Sequence, residues 1–271
     1  MRNGSGVFTF NDHAAGQSGS LQVFYHRPEE HGRHDRILLA ISGSDRAAAY
    51  FRNCWVAHAK RLNALIVAPE FDHASFPTTA IFNYGNVTAP QGDVSSMMPR
   101  EVWTYGILDR LFRRVKEITA SEQSSFSLFG HSAGAQFAHR YLALTRGRLT
   151  DLVIAANAGW YMLPDNGMEY PAGTARTGFS DEDLRRYLAT NMVILLGDAD
   201  TNETEPGLPQ EAEAVAQGAH RLARGRFYFN YCQDLARRLD ATFGWRLVVA
   251  PGIGHDDAEI STAAANVVQA L

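Results

Sequence analysis

The sequence contains only two cysteines, Cys54 and Cys232, and they do not form a C-x-x-C pair. Both occur in segments with helical spacing, which favours free, buried thiols over a disulfide or a cysteine metal site. Long apolar runs are also missing. The longest ones, such as Ile37–Ile41 and residues 152–156, fall far short of the roughly 20 residues of a membrane-spanning helix. The sequence therefore excludes a transmembrane helix, and we expect no membrane partner.

Positive charge is scarce as well. The 271 residues include 25 Lys and Arg against 29 Asp and Glu, which gives a formal net charge of −4 at pH 7. Because this composition provides no basic stripe for a phosphate backbone, nucleic acid is not an expected partner. Residues 1–16 are polar and glycine-rich where a secretion signal would have its apolar core, which predicts a cytoplasmic location. The oligomeric state is left open, with a homodimer as one option.

Motifs for bound cofactors are absent too. No Walker sequence occurs, and the Gly-Ile-Gly of residues 252–254 lacks the third glycine of a dinucleotide-binding loop. A polar cluster before the first apolar run has metal-ligating residue types, but its place in a hydrophilic connection favours a solvated loop. Its members are His26, Glu29, Glu30, His31, His34 and Asp35. We therefore expect neither a cofactor nor a metal.

Short apolar runs alternate with helical spacing along most of the chain. Two β-rich runs, 7–10 and 21–26, predict an antiparallel hairpin. The later runs are almost continuously apolar, as in parallel strands buried on both faces, at 37–41, 65–68, 126–129, 152–156, 193–196 and 247–250. Helical spacing occurs at 47–62, 100–119, 133–145, 181–189, 229–242 and 258–271. This alternation predicts an α/β fold with a mostly parallel, doubly wound sheet.

The length and the continuous alternation predict one domain over residues 1–271. Three long, irregular stretches interrupt the pattern, around residues 70–99, 160–180 and 200–226. Each follows the carboxyl end of a predicted strand. Since open α/β sheets bind ligands at that edge, we expect these loop insertions to lie near an active site.

A Gly-His-Ser-Ala-Gly pentapeptide, residues 130–134, joins a strand-like run to a helix-like run. A chance G-x-S-x-G occurs in about one chain in ten of this composition, so the context matters more than the motif. Strand, tight turn and helix are the setting of a nucleophile elbow, in which Ser132 needs an adjacent base to become reactive. The helix that follows offers backbone N–H groups to a developing oxyanion. Ser132 is therefore the predicted nucleophile.

At this point the sequence resembles the α/β-hydrolase superfamily from about residue 36 to the end. The resemblance implies the order serine, acid, histidine, with the last two following later strands. His255, in a loop after the last strand, is the implied general base. Asp200 is the preferred carboxylate because related sequences place it three residues beyond a strand-end glycine, here Gly197. Asp198 remains the alternative, and its other interpretation is a turn residue.

The resemblance also implies two backbone donors of an oxyanion hole. One is Ala133, directly after the nucleophile, and the other lies in residues 42–46, where Ser44 is preferred and Gly43 or Asp45 stays open. Arg46, in the same loop, has two interpretations. It either holds a substrate carboxylate or forms a local ion pair.

Four further side chains are candidates for binding a substrate. Tyr84 lies in one aromatic loop segment, and Trp160 and Tyr161 lie in another that follows the strand after the nucleophile helix. Each either lines an acyl or alcohol pocket or anchors its loop in the core. His131, next to the nucleophile, is interpreted as packing or as a pocket wall.

These residues predict hydrolysis of a small-molecule carboxylic ester through an acyl-enzyme intermediate. Residues 42–51 and 155–164 are also weakly similar to bacterial polyester-depolymerase-like and feruloyl-esterase-like hydrolases. Two other interpretations remain: a cofactor-free lyase or haloperoxidase with the same triad, and a catalytically silent binding protein on the same fold.

Overall fold

The computed structural model describes residues 1–12, 19–89 and 97–271. Within these residues eight strands form one sheet in the order β1-β2-β4-β3-β5-β6-β7-β8. The strands are β1 Gly4–Asp12, β2 Gly19–Arg27, β3 Ile37–Ile41, β4 Leu65–Pro69, β5 Phe126–His131, β6 Thr150–Ala156, β7 Met192–Gly197 and β8 Arg246–Ala250. β1 pairs antiparallel with β2 and β2 antiparallel with β4, and every later pairing is parallel.

Helices cover both faces of the sheet, which explains why its central strands are apolar along their whole length. β3, β4 and β7 are buried at every position. On one face, Trp55 and Ile260 belong to the core cluster that includes Phe129 of β5. On the other face, a larger cluster joins Phe137 and Tyr228 to the opposite side chains of the strands. The predicted mostly parallel sheet with its N-terminal antiparallel hairpin is confirmed.

The helices are α1 Ala48–Leu62, α2 Gly106–Thr119, α3 Ala133–Thr145, α4 Asp181–Ala189, α5 Ala212–Val215, α6 Arg221–Arg238 and α7 Asp257–Gln269. Two predicted boundaries were wrong. Residues Arg100–Val102 form a short 3₁₀ turn, and α2 begins only at Gly106. α6 begins eight residues earlier than expected from residues 229–242, at Arg221 rather than residue 229. Its first turns carry arginines instead of an apolar stripe, so periodicity could not reveal them.

The three long connections lie where strands end. Residues 90–96 of the first connection and residues 13–18, between β1 and β2, lie outside the described residues. The third connection, 200–226, contains α5 and the first turns of α6. The interpretation of the chain as one domain stays a prediction.

Cys54 of α1 and Cys232 of α6 are both free, and Cys232 is fully enclosed. Burial raises the pKa of the Cys232 thiol well above its usual range. Among the described helices, none combines the length and the apolar character needed to cross a bilayer.

Candidate active site

Ser132 occupies the sharp turn between β5 and α3. Its backbone lies at φ 56° and ψ −117°, a region that residues other than glycine rarely adopt. The neighbouring glycines allow this turn. A Cβ at Gly130 would lie 2.1 Å from the carbonyl oxygen of Gly134, and a Cβ at Gly134 would lie 2.1 Å from the carbonyl oxygen of Ile41. Close packing of α3 against β3 and β5 therefore requires both glycines.

The structure brings together the three residues that the sequence had placed far apart. His255 Nε2 lies 3.0 Å from Ser132 Oγ, and His255 Nδ1 lies 2.7 Å from Asp200 Oδ2. An ionised carboxylate can only accept a hydrogen bond, so Nδ1 carries the proton and Nε2 offers its lone pair to the serine hydroxyl. Asp200 is buried, while the side chain of His255 is 20% exposed. This arrangement lets the imidazole withdraw the serine proton.

Asp198 lies elsewhere. Its side chain is on the surface, and its Oδ1 accepts a 2.6 Å hydrogen bond from the backbone N–H of Gly252. This contact links the end of β7 to the loop after β8. The geometry therefore pairs His255 with Asp200 and leaves Asp198 as a turn residue.

Arg221, at the start of α6, borders the same site and was missed by the sequence reasoning. Its Nη1 lies 3.6 Å from Asp200 Oδ1 and pairs with the carboxylate of Glu205. The Arg221 side chain is only 3% exposed. The attraction between the buried guanidinium and the buried carboxylate offsets part of the cost of removing both charges from water. No local sequence signal could have revealed this contact, because it joins a helix start to two loop residues.

Asp200, Glu205 and His255 also place one ligand atom each within 4.8 Å of one another. Carboxylate and imidazole atoms are a suitable donor set for a divalent cation. Arg221 already pairs with both carboxylates, and its positive charge opposes a second cation there. The residues therefore fit a metal poorly, and the expectation of a metal-free site stays a prediction.

His131 lies beside His255. Its Nδ1 lies 2.5 Å from Asp257 Oδ1, and the centroids of the two imidazole rings are 4.5 Å apart. Burial lowers the pKa of His131, although the hydrogen bond to Asp257 acts in the opposite direction. The ring borders the cleft described next, which agrees with its interpretation as a pocket wall.

The cleft around Ser132 has two lobes, and Ser44, Ser132 and Gly207 border both of them. The first, of about 270 Å³, is here called the histidine lobe. The second, of about 360 Å³, is here called the amide lobe. The histidine lobe is lined among others by Tyr50, His131, Glu205, Arg221, His255 and Asp257. The amide lobe is lined among others by Arg46, Phe82, Asn83, Tyr84, Gln136 and Gly159.

The two predicted oxyanion donors border the cleft. Ala133 is the first residue of α3, so its backbone N–H has no acceptor within the helix. Ser44 lines both lobes, and a Cβ added to the adjacent Gly43 would lie 3.6 Å from Ser132 Cβ. The loop of residues 42–46 therefore approaches Ser132 closely.

Arg46 does reach the amide lobe, but its guanidinium is already bound. Nη1 donates to the carbonyl oxygens of Phe71 at 2.7 Å and Phe76 at 3.4 Å, and the group lies 3.7 Å above the Phe82 ring. Burial lowers its pKa to about 10, so it remains a cation at neutral pH. The guanidinium ties the 70–99 loop to the segment that follows β3, and among the described residues it forms no ion pair with Asp45. Binding of a substrate carboxylate by Arg46 stays a prediction.

The three aromatic candidates have different positions. Tyr84 lines the amide lobe and accepts a 3.0 Å hydrogen bond from Trp160 Nε1. Trp160 is buried behind Tyr84, and Tyr161 stacks on Tyr228 in the core. In the part of the chain that the structure describes, neither Trp160 nor Tyr161 borders the two lobes. Of their two interpretations, these positions agree with loop anchors, because both rings pack inward.

Several lining side chains were not predicted, Tyr50 and Gln136 among them. Tyr50 is 51% exposed at the rim of the histidine lobe. Asn83 and Gln136 form part of the amide lobe. Gln136 had a usable signal, since it follows Ser132 by four residues on the predicted helix and must share its face. Tyr50 had none, because its position depends on how α1 packs. Asn83 belongs to the aromatic segment, residues 83–86, that was one of the two candidate pocket linings.

The chain is similar over its whole length to two solved hydrolases. It is 35% identical to poly(aspartic acid) hydrolase-1 from Sphingomonas sp. KT-1, with a TM-score of 0.94 over 99% of this chain and 100% of that chain. LpqC, a poly(3-hydroxybutyrate) depolymerase from Bordetella parapertussis, is 33% identical, with a TM-score of 0.91 over 98% of this chain and 90% of that chain. Comparison with protein-family models gave no match, and comparison with curated proteins gave none either.

The serine hydrolase FphF from Staphylococcus aureus shares the fold alone, at 14% identity and a TM-score of 0.62 over 98% of both chains. The two similarities above 30% identity show more than a fold. The chain belongs to the α/β-hydrolase superfamily, in the same family as the Sphingomonas and Bordetella enzymes, and it is a hydrolase.

Proposed function

We propose that this protein hydrolyses carboxylic esters through an acyl-enzyme formed on Ser132. The observation that supports this most directly is the continuous hydrogen-bonded series from Ser132 Oγ through His255 to Asp200, with distances of 3.0 and 2.7 Å. A neutral imidazole that accepts from a serine hydroxyl and donates to a buried carboxylate is the arrangement that general-base activation requires.

The reaction begins when His255 Nε2 takes the Ser132 proton and Oγ attacks the ester carbonyl. The backbone N–H groups of Ala133 and Ser44 stabilise the oxyanion, and Asp200 stabilises the imidazolium that has formed. The imidazolium then donates its proton to the departing alcohol oxygen. Water, activated by the same histidine, attacks the acyl-enzyme and releases the acid.

The two lobes take different parts of the substrate in this proposal. His255 must reach the leaving oxygen, so the alcohol lies in the histidine lobe, which His255 lines. The acyl group then lies in the amide lobe, which Ala133 borders next to the oxyanion position.

The charges around the histidine lobe favour a neutral ester. Its lining includes the carboxylates of Asp45, Glu205, Asp256 and Asp257 against the single guanidinium of Arg221. These carboxylates repel an approaching anion, and the formal net charge of −4 acts in the same direction. We therefore infer that a neutral ester or polyester fits this cleft better than a polyanion such as the substrate named for the Sphingomonas enzyme.

The test is hydrolysis of simple p-nitrophenyl esters by the protein and by Ser132→Ala. We expect hydrolysis that the variant has lost, and labelling of Ser132 by a fluorophosphonate probe. Asp234→Asn, an exposed change on α6, is the control and should keep full activity. If the probe labels no residue and no ester is cleaved, the protein is the catalytically silent binding protein. Labelling of Ser132 without ester cleavage would instead favour the lyase or haloperoxidase chemistry. The cytoplasmic location and a homodimer stay predictions.

A further inference from the structure

Gln136 lies one turn of α3 beyond Ser132, and its side chain forms part of the wall of the amide lobe. The residue is only 5% exposed. Its backbone N–H donates to the carbonyl oxygen of Ser132 at 3.1 Å, which fixes its distance from the proposed nucleophile. One helical turn is about 5.4 Å along the axis, a span that an acyl chain of a few carbons covers.

The orientation of the Gln136 amide is set by two donors. Asn83 Nδ2 donates to Gln136 Oε1 at 3.1 Å, and Arg140 Nη1 lies 3.5 Å from the same oxygen. Arg140 is completely buried and has only donor groups, so the amide oxygen and not the amide nitrogen must face it. The Nε2 group of Gln136 consequently points away from Arg140.

In the described part of the chain, one donor atom of Gln136 and one acceptor atom of Asn83 have no hydrogen-bond partner. Among the described residues, Gln136 Nε2 donates to no acceptor and Asn83 Oδ1 accepts from no donor. Both residues are buried except where they border the amide lobe. Gly159 forms the adjacent wall, and a Cβ there would lie 3.0 Å from Gln136 Nε2. The lack of a side chain at Gly159 is what allows Gln136 Nε2 and Pro209 to lie this close to its backbone.

A donor and an acceptor side by side match the chemistry of one hydroxyl group, which can accept from the first and donate to the second. We propose that Gln136 and Asn83 form a subsite that binds a hydroxyl on the acyl chain of the ester, and so select hydroxyacyl over plain alkyl-acyl substrates. The inference rests on the proposed function, because that proposal places the acyl group in this lobe. An acyl chain without the hydroxyl would cover both groups and leave them without a partner, which disfavours it.

The test compares two esters of the same shape, methyl 3-hydroxybutyrate and methyl 3-methylbutyrate, in which a methyl group replaces the hydroxyl. We expect kcat/KM to be at least about 10-fold higher for the hydroxyl ester, because the methyl counterpart loses both hydrogen bonds of the hydroxyl. Gln136→Glu keeps the oxygen that Asn83 and Arg140 contact and replaces the Nε2 donor by an acceptor. This variant should bring the ratio of the two kcat/KM values close to one.

Gln233→Glu is the matched control, because Gln233 also contacts an arginine four residues later, with Arg237 Nη2 2.8 Å from its Oε1. It should leave the ratio unchanged. Equal hydrolysis of both esters by the unmodified protein, or an unchanged ratio in Gln136→Glu, would overturn the subsite and leave ester hydrolysis intact. Absence of Ser132-dependent hydrolysis would instead overturn the proposed function.

The subsite can also be tested without turnover, by calorimetric measurement of the binding of both esters to Ser132→Ala. The hydroxyl ester should bind about 10-fold more tightly than its methyl counterpart, and this difference should disappear in the double variant with Gln136→Glu. Equal affinities for the two esters in Ser132→Ala would contradict the proposal.

Discussion

His131 and Asp257 form a second histidine–carboxylate pair, with Nδ1 and Oδ1 2.5 Å apart, directly beside the imidazole that faces Ser132. His131 belongs to the end of β5 and Asp257 begins α7, so the pair joins the nucleophile turn to the loop that carries His255. Asp257 lines the same lobe as His255, where its carboxylate adds negative potential near the ring that becomes positively charged during the proposed reaction.

Asp257→Asn should lower kcat about 10-fold and change KM little, because the carboxylate positions His131 and favours the imidazolium of His255 only after proton transfer. The measurement is kcat and KM across the pH range, since a role in charge stabilisation alters the pH profile as well as the maximum. Asp234→Asn again serves as the control. A profile that coincides with the unmodified protein at every pH would show that the pair is only structural.

Asp200→Asn and Asp198→Asn separate the two candidate carboxylates. We expect Asp200→Asn to reduce kcat about 10⁴-fold, because an amide can donate to His255 Nδ1 and then favours the wrong tautomer. Asp198→Asn should stay within a few-fold of full activity, since an amide oxygen can still accept from the Gly252 N–H. Steady-state kinetics on one ester decides the question, and similar losses in both variants would contradict the assignment.

Arg221→Met should destabilise the protein by about 3 kcal/mol, because it leaves a buried carboxylate without its partner while keeping the apolar volume. Urea unfolding measures this change. Arg226→Met, an exposed change on the same helix, should alter the free energy of unfolding by less than about 0.5 kcal/mol. A loss no greater than that of Arg226→Met would mean that Arg221 contributes nothing as an ion-pair partner.

The folded protein should lose stability as the pH falls below about 6.5, the ordinary pKa of an imidazole. Burial lowers the pKa of His139 well below that value, and the nearby Arg140 lowers it further. The folded state needs the neutral ring, because Nδ1 donates to the carbonyl oxygen of Ala135 and Nε2 accepts from the N–H of Met162. Below pH 6.5 the unfolded chain binds one more proton than the folded protein. His139 therefore lowers the free energy of unfolding by up to about 1.4 kcal/mol for each pH unit.

Urea unfolding from about pH 8 to about pH 5 measures that dependence on the free energy of unfolding. His139→Gln keeps an acceptor for the Met162 N–H but has no titrating group. It should therefore show a shallower decline than the unmodified protein. Parallel curves for the two proteins would indicate that His139 does not titrate differently on unfolding.

Much of the fold could be predicted because its cause is local. Buried parallel strands must be apolar on both faces, and runs such as Ile37–Ile41 show this directly. The start of α6 could not be predicted in the same way. Arg221 and Arg224 are buried there, and Arg224 Nη1 donates to the carbonyl oxygen of Gly159 at 2.7 Å. A helix start that is stabilised by hydrogen bonds to acceptors remote in sequence does not need regularly spaced apolar residues.

The sequence by itself determined the alternation of strands and helices and the glycine-flanked turn at Ser132, while the order of serine, acid and histidine came from the resemblance to the α/β-hydrolase superfamily. The first two features are local. Each depends on neighbours in the chain, through backbone sterics and periodic burial. Only the tertiary structure decided that Asp200 rather than Asp198 faces His255, that Trp160 and Tyr161 point inward, and that Gln136 meets Asn83. These depend on side-chain directions set by packing between segments remote in sequence, which local pattern does not encode.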